Sequence, residues 1–267
     1  MISSSNLQTS RRSFLKTAAL GAVALQFGLS ELLAANKKIP IGLQLYSVRQ
    51  DCEKDLPKVL ETVGKIGFKG VEFAGYYGRT ASDLRKMLDD NGLVCCGTHT
   101  ALDTIKPENL DATIEFNKTI GNKNLIVPYM DPKTKEGWLE MVQLFNTQAV
   151  KAKKAGMRIG YHAHAHDFQK IDGTSCWDLF FGGTRKDVVM QLDTSNCMGG
   201  GADPVEVLKK YKKRAVTIHI KEWGGSKDAV IGEGKVNFPA VFDLCEHNGV
   251  TKWYVVEDEQ AGNGLDR

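Results

Sequence analysis

KKAGMRIGYHAHAHDF, Lys153 to Phe168, is the stretch on which the fold turns. A helix-forming run ends in two lysines, Gly156 supplies the left-handed turn that stops it, and RIGYHAH follows at once as an extended segment. The same join occurs earlier in GKIGFKGVEF, Gly64 to Phe73. It recurs along the chain: from Ile39 onward, short apolar runs alternate with segments of helical period, spaced by about thirty residues as βα units are.

The strand candidates are IGLQLY, GVEFA, LVCCGTH, NLIVPYM, RIGYHAH, VVMQLD, VTIHIK and KWYVVE, and helices are predicted over 56–66, 80–91, 107–120, 135–155, 203–213 and 238–248. Eight such repeats predict an α/β protein, a (β/α)8 TIM barrel. An open doubly wound sheet suits the pattern less well, because nothing resembling GxGxxG opens a helix after a strand. Only DEQAGNGLDR follows the last strand candidate and it has no apolar stripe, so the barrel is expected to lack its eighth helix.

Residues 1–35 read as an export signal, and residues 36–267 as the barrel domain. Ser10-Arg11-Arg12-Ser13-Phe14-Leu15-Lys16 resembles the twin-arginine motif and precedes the apolar run TAALGAVALQFGL, which is too short to span a bilayer. The resemblance implies handling by the twin-arginine translocation machinery and a periplasmic location. Without residues 1–35, which carry three basic residues and one acidic one, 32 Lys and Arg stand against 31 Asp and Glu. Such a surface lacks the broad basic field that nucleic-acid backbones require. The six cysteines show no metal-site or disulfide spacing and read as core; the oligomeric state is left open.

Barrel enzymes work at the C-terminal ends of their strands. The polar residues there are Gln44 and Tyr46, Glu72, His99, His162 with His164, Asp193, His219 with Lys221 and Glu222, and Glu257; Trp223 follows on a loop. Five of the six histidines gather at or just beyond strand ends, leaving His247 on a helix. Imidazoles mixed with carboxylates suit a divalent metal, with Mn, Zn, Co, Fe or Mg as candidates. Spacing alone does not fix the ligands, because each comes from a different strand. Gln44, Tyr46, Glu72, His99, Glu222 and Trp223 are candidates for substrate contact. Gly199–Gly201 reads as a turn leading to an N-cap at Asp203.

From Ile41 to Gln260 the chain resembles the xylose isomerase-like TIM barrels, among them sugar isomerases and epimerases, inosose dehydratase and the apurinic-site endonucleases. The resemblance is carried by GLQLYSVR, GFKGVEFAGYYG, GTHTAL, GYHAHAH, QLDTSN, HIKEW, IGEGKVNFPAVF and WYVVEDE. It implies a metal held by His162, Asp193, His219 and Glu257. Two departures stand out. Where keto-sugar epimerases look to carry a second proton-transferring Glu, this chain has His162, and Asn196 stands where many relatives have a further His.

Three activities fit. A sugar isomerase or epimerase would use Glu257 or His164 as base and Lys221 to steady an oxyanion, acting on a small keto-sugar or related polyol. A lyase or dehydratase would let the same enediolate expel a β-substituent from a 3-oxo sugar or 3-oxo glycoside, with His164 as acid. A non-catalytic sugar-binding barrel would use loop aromatics, Trp177, Trp223, Tyr76 and Tyr77, to stack on a carbohydrate ring.

Overall fold

A computed structural model describes residues 38–226 and 229–259; residues 1–37, on which the export signal falls, and 260–267, on which the missing eighth helix rests, lie outside the described residues. Among the described residues ten strands run in chain order: β1 (Ile41–Gln44), β2 (Gly70–Ala74), β3 (Val94–His99), β4 (Asn124–Val127), β5 (Arg158–His162), β6 (Lys170–Ile171), β7 (Thr174–Ser175), β8 (Val189–Asp193), β9 (Thr217–Ile220) and β10 (Trp253–Val256). Eight of them close a barrel in the order β1-β10-β9-β8-β5-β4-β3-β2, every neighbouring pair parallel. The other two, β6 and β7, form a small antiparallel ribbon. All eight strand candidates are barrel strands, and the TIM barrel expected from the repeats is the fold.

Seven connections carry the helices α1 (Arg49–Ile66), α2 (Ala81–Asp90), α3 (Leu110–Thr119), α4 (Lys135–Lys154), α5 (Cys176–Gly183), α6 (Thr194–Gly199), α7 (Pro204–Lys210) and α8 (Phe238–His247). Two of these, α5 and α6, are absent from the sequence reading. Trp177, expected on a loop with its ring free to stack on sugar, is instead 1% exposed inside α5. Helix α1 begins seven residues before the predicted start at 56. It bends at Asp55, whose backbone leaves the helical region because Pro57 crowds the chain before it, and Asp55 Oδ1 recaps the second half by accepting from Lys58 N at 3.0 Å.

Period-two alternation sorts the barrel into a greasy outside and a polar inside. In β5, Ile159 and Tyr161 join the apolar layer beneath the helices; in β8, Met190 and Leu192 do so, and in β9, Ile218 and Ile220. The intervening His162, Gln191, Asp193, Thr217 and His219 are each at most 1% exposed and face the barrel interior. All six cysteines are buried and unpaired, as expected of core residues.

The apolar layer is densest under α5. Phe180 is wholly buried, its ring 4.8 Å from that of Phe145, 5.3 Å from Tyr161 and 6.2 Å from Trp138. Phe180→Ala is expected to cost about 3–5 kcal/mol, because those rings cannot all collapse into the vacated volume. Urea melts of the two proteins check this, and a loss below about 1 kcal/mol would mean that α5 does not hold the barrel together.

Candidate metal and catalytic site

At the C-terminal mouth of the barrel, His162 (β5), Asp193 (β8), His219 (β9) and Glu257, just beyond β10, each direct one donor atom into a common space, all four atoms within 4.8 Å of one another. Each is at most 3% exposed. Register sets the assembly: Asp193 lies opposite His219, and His162 opposite Gln191. Asp193 also caps α6, its Oδ1 accepting from Asn196 N at 2.7 Å, and Asn196 Nδ2 donates to Ala163 O at 2.9 Å, tying β5 to β8. The Thr194 hydroxyl lies 3.0 Å from Lys221 N and 2.7 Å from Lys221 O, fixing the end of β9.

Below this layer runs a second, held entirely by hydrogen bonds. Glu72 takes a bond from Gln44 Nε2 and from Gln191 Nε2, each at 2.8 Å, and from His219 Nε2 at 2.6 Å; His99 Nε2 lies 3.2 Å away. Gln191 Oε1 meets His99 Nε2 at 2.8 Å and His162 Nδ1 at 3.1 Å, while its Nε2 also donates to Thr217 Oγ1 at 2.9 Å. The room for this carboxylate comes from Gly97 on β3, where a Cβ would collide with Glu72 Oε1.

The charges follow from the contacts. Burial works against a proton on His219, but Glu72 on one ring nitrogen and Glu257 Oε2 on the other, at 2.8 Å, raise its pKa to about 10. Burial would push Glu257 up; His219, with Lys221 and His99 nearby, holds it down at about 2. Asp193 is pushed up to about 7 by burial, against the pull of Lys221. Its Oδ2 is buried without a hydrogen-bond partner among the described residues. A buried carboxylate oxygen with nothing to bind is costly, and a cation among two imidazoles and two carboxylates satisfies it. The donor set therefore fits a divalent ion of the kind that mixed nitrogen and oxygen ligands hold. A second triad, His99 with His162 and His219, also lies close enough, but His99 already spends its Nε2 on Gln191 and Glu72.

Above the cluster sit the groups that can meet a substrate. His164, half-buried, follows β5 and faces the ring of His162 edge-on at 5.0 Å. Burial, then the nearby His166, lowers its pKa to about 4, and its Nδ1 is itself buried, without a hydrogen-bond partner among the described residues. Lys221 is 8% exposed and ion-paired with Glu259 at 2.9 Å; burial opposes its charge, but Asp193, Glu257 and Glu259 raise its pKa. Tyr46, 42% exposed, has the Arg49 guanidinium 4.3 Å over its ring, and Trp223 lies half-buried with Lys235 Nζ 5.6 Å from its ring.

Other candidates fall elsewhere. Glu222, two residues past the end of β9, is engaged by its own loop: its oxygens accept from the backbone N–H groups of Trp223 at 2.9 Å, Gly232 at 2.7 Å and Val236 at 3.2 Å, so it shapes that loop. His166 donates to Met130 O at 2.7 Å, outside the cluster. Sequence reasoning missed Gln191, which links Glu72, His99 and His162 in the lower layer, and Thr217, which accepts its remaining N–H. It also missed Asp167, which accepts from His164 N at 2.6 Å and Tyr161 Oη at 2.7 Å and so fixes the backbone turn after β5.

A closed parallel barrel with an imidazole and carboxylate cluster at its C-terminal mouth defines a class, the TIM-barrel enzymes that work on small molecules at that rim. Within that class the chain belongs to the xylose isomerase-like TIM barrel family, whose model matches residues 60–266. An inosose dehydratase of Clostridium perfringens is 26% identical over 84% of this chain and 91% of its own length. One of Geobacillus thermodenitrificans is 27% identical over 73% and 78%. The crystal structure of a sugar phosphate isomerase/epimerase from Parabacteroides distasonis superposes with a TM-score of 0.73, at 26% identity over 85% of this chain and 93% of that one.

Proposed function

We propose that the protein is a lyase of the dehydratase type, removing a β-substituent from a cyclic oxo-polyol such as an inosose or a 3-oxo sugar or glycoside. One observation carries this over the isomerase and epimerase readings. Inverting a carbon takes two bases on opposite faces, and the place on β5 across from Glu257 is His162, whose Nδ1 is tied to Gln191. The other acids near the mouth are committed too: Glu72 to four side chains and Glu222 to its loop. What remains is one half-buried proton carrier whose ring meets that of His162, His164, and elimination needs only one. Similarity to inosose dehydratases over most of both chains supports the same choice.

A divalent ion held by His162, Asp193, His219 and Glu257 would supply Lewis acidity, lowering the pKa of the C–H next to a carbonyl. His164 takes that proton on a ring nitrogen. The electron pair of the broken C–H bond forms the C=C bond of an enolate, and the Lys221 ammonium offsets the oxygen's negative charge. As the enolate reforms the carbonyl, the C–O bond at the β-carbon breaks, and the imidazolium of His164 returns its proton to the departing oxygen. Water leaves, or an alcohol where the substituent is glycosidic. The low exposure of Lys221 and Glu257 keeps bulk water from competing for these charges.

The test is incubation with an inosose, and in parallel a 3-oxo glycoside, in deuterated water with Mn, Co or Zn present. The expected result is loss of water or aglycone and appearance of an unsaturated ketone absorbance. Deuterium entering the carbon beside the carbonyl with no leaving group released would sink the lyase reading in favour of isomerisation. Neither outcome, together with no metal-dependent rise in melting temperature, would favour a sugar-binding barrel.

The proposal extends to location. Arg11 and Arg12 before an apolar run point to export of the folded protein, where free glycosides are to be expected. Replacing both by Lys is expected to hold the protein in the cytoplasm, read by fractionation; unchanged export would reject the twin-arginine reading.

A further inference from the structure

The side chain that orients this site lies one layer beneath it. Gln191 is fully buried, and all its hydrogen-bonding capacity is used: two donors to Glu72 Oε1 and Thr217 Oγ1, one oxygen shared by His99 and His162. An amide can be turned by 180° with little change in shape, so its partners must decide which end is which. Glu72 decides. Its carboxylate only accepts, and with the amide reversed, two bare oxygens would face each other at 2.8 Å in a site closed to water. The NH2 end therefore points at Glu72 and the oxygen at the two imidazoles.

That orientation propagates. A carbonyl oxygen 3.1 Å from His162 Nδ1 can only accept, so the ring proton sits on Nδ1 and the lone pair on Nε2. Nε2 is the nitrogen facing the cluster, 3.9 Å from Glu257 Oε2. The same oxygen draws the Nε2 proton of His99, which keeps that nitrogen out of the donor set.

We infer that Gln191, oriented by Glu72, is a positioning residue that fixes the tautomer of His162 and, by holding the Nε2 proton of His99, selects the His162–Asp193–His219–Glu257 donor set over the His99 triad. The inference rests on the metal site of the proposed function, but its first readout does not. With histidine labelled in 15N, long-range proton–nitrogen NMR of the full-length protein is expected to show His162 protonated at Nδ1 and bare at Nε2. Gln191→Leu, close in volume, should lose that single tautomer and bind cobalt(II) about 10- to 100-fold more weakly, read from its visible absorption. Thr217→Val removes a Gln191 partner without touching the chain from Glu72 to His162, and should keep both the tautomer and the affinity.

A wild-type His162 protonated at Nε2 overturns the inference, and that measurement needs no variant to fold. So does a Gln191→Leu protein with wild-type affinity, or a Thr217→Val protein that loses affinity equally, since the effect would then be one of packing. A wild-type protein that shows the Nδ1 proton, loses it in Gln191→Leu, and yet binds no cobalt would leave the positioning role standing and remove the metal from the proposed function.

Discussion

Glu257→Gln is expected to leave a folded barrel that no longer holds the proposed divalent ion. Outer partners of metal ligands typically cost 10- to 100-fold in affinity or activity when changed, so a direct donor should exceed about 100-fold. The fold should survive because of the arithmetic of charge. Without the ion, His219 is held protonated between Glu72 and Glu257, and with Gln at 257 the His219–Glu72 pair remains, one positive charge against one negative at 2.6 Å. The visible change is therefore in linkage: an ion present at 100 times its dissociation constant stabilises the wild type by about 2.7 kcal/mol, and at a hundredfold weaker affinity by only about 0.4. Melting curves with and without Mn or Zn, together with metal content after dialysis, check this. A variant that retains both its bound metal and its turnover would remove Glu257 from the site.

The barrel was legible because its strands obey one rule. A residue pattern with Ile159, Tyr161, Met190, Leu192, Ile218 and Ile220 on alternate positions can be buried only if those side chains face a helix layer, and the intervening polar residues must then share the interior. The cluster was less legible from spacing, since its members are 26 to 95 residues apart in the chain; closure brings them within 4.8 Å. Three misreadings have physical causes. Helix α5, CWDLFFGG, is apolar on nearly every side and buries Trp177, Phe180 and Phe181, so it shows no amphipathic period. Helix α6 starts at the residue after Asp193, which serves both as candidate ligand and as N-cap, and six residues are too few to display a stripe. Glu222 follows Lys221 directly; adjacent residues in extended chain diverge, and where Lys221 turns to the mouth, Glu222 turns to the loop.

Gln191 escaped for a different reason. Apart from Gln44, which ends β1, sequence reasoning took titratable and aromatic groups, and Gln191 is an amide inside its strand. Yet Gln191 lies two residues before Asp193 on one strand, which places both on the same face, and an amide in the closed interior of a barrel must find partners for its oxygen and both hydrogens. Gly97 is an equally quiet signal, its missing side chain being the space that the Glu72 carboxylate fills. The lower layer is thus written in residues that carry no chemistry of their own and set the direction in which others carry theirs.

His164→Phe is expected to separate proton transfer from metal binding. Phenylalanine keeps a ring beside Tyr129, whose own ring meets that of His164 at 5.3 Å, and the backbone bond from residue 164 to Asp167 does not depend on the side chain. The donor set is untouched, because His164 belongs to neither group of residues able to hold the ion. Removing a positioned acid or base typically costs 10²- to 10⁴-fold, so release of water from an inosose should slow by about that factor, with the loss in kcat rather than in KM. The proposed elimination would use His164 twice, first as base and then as acid, so an added small imidazole that restores turnover in His164→Ala would report both steps at once. Retention of wild-type kcat in His164→Phe would transfer the proton to another group, and Lys221, also assigned to the mouth, would be the next to replace.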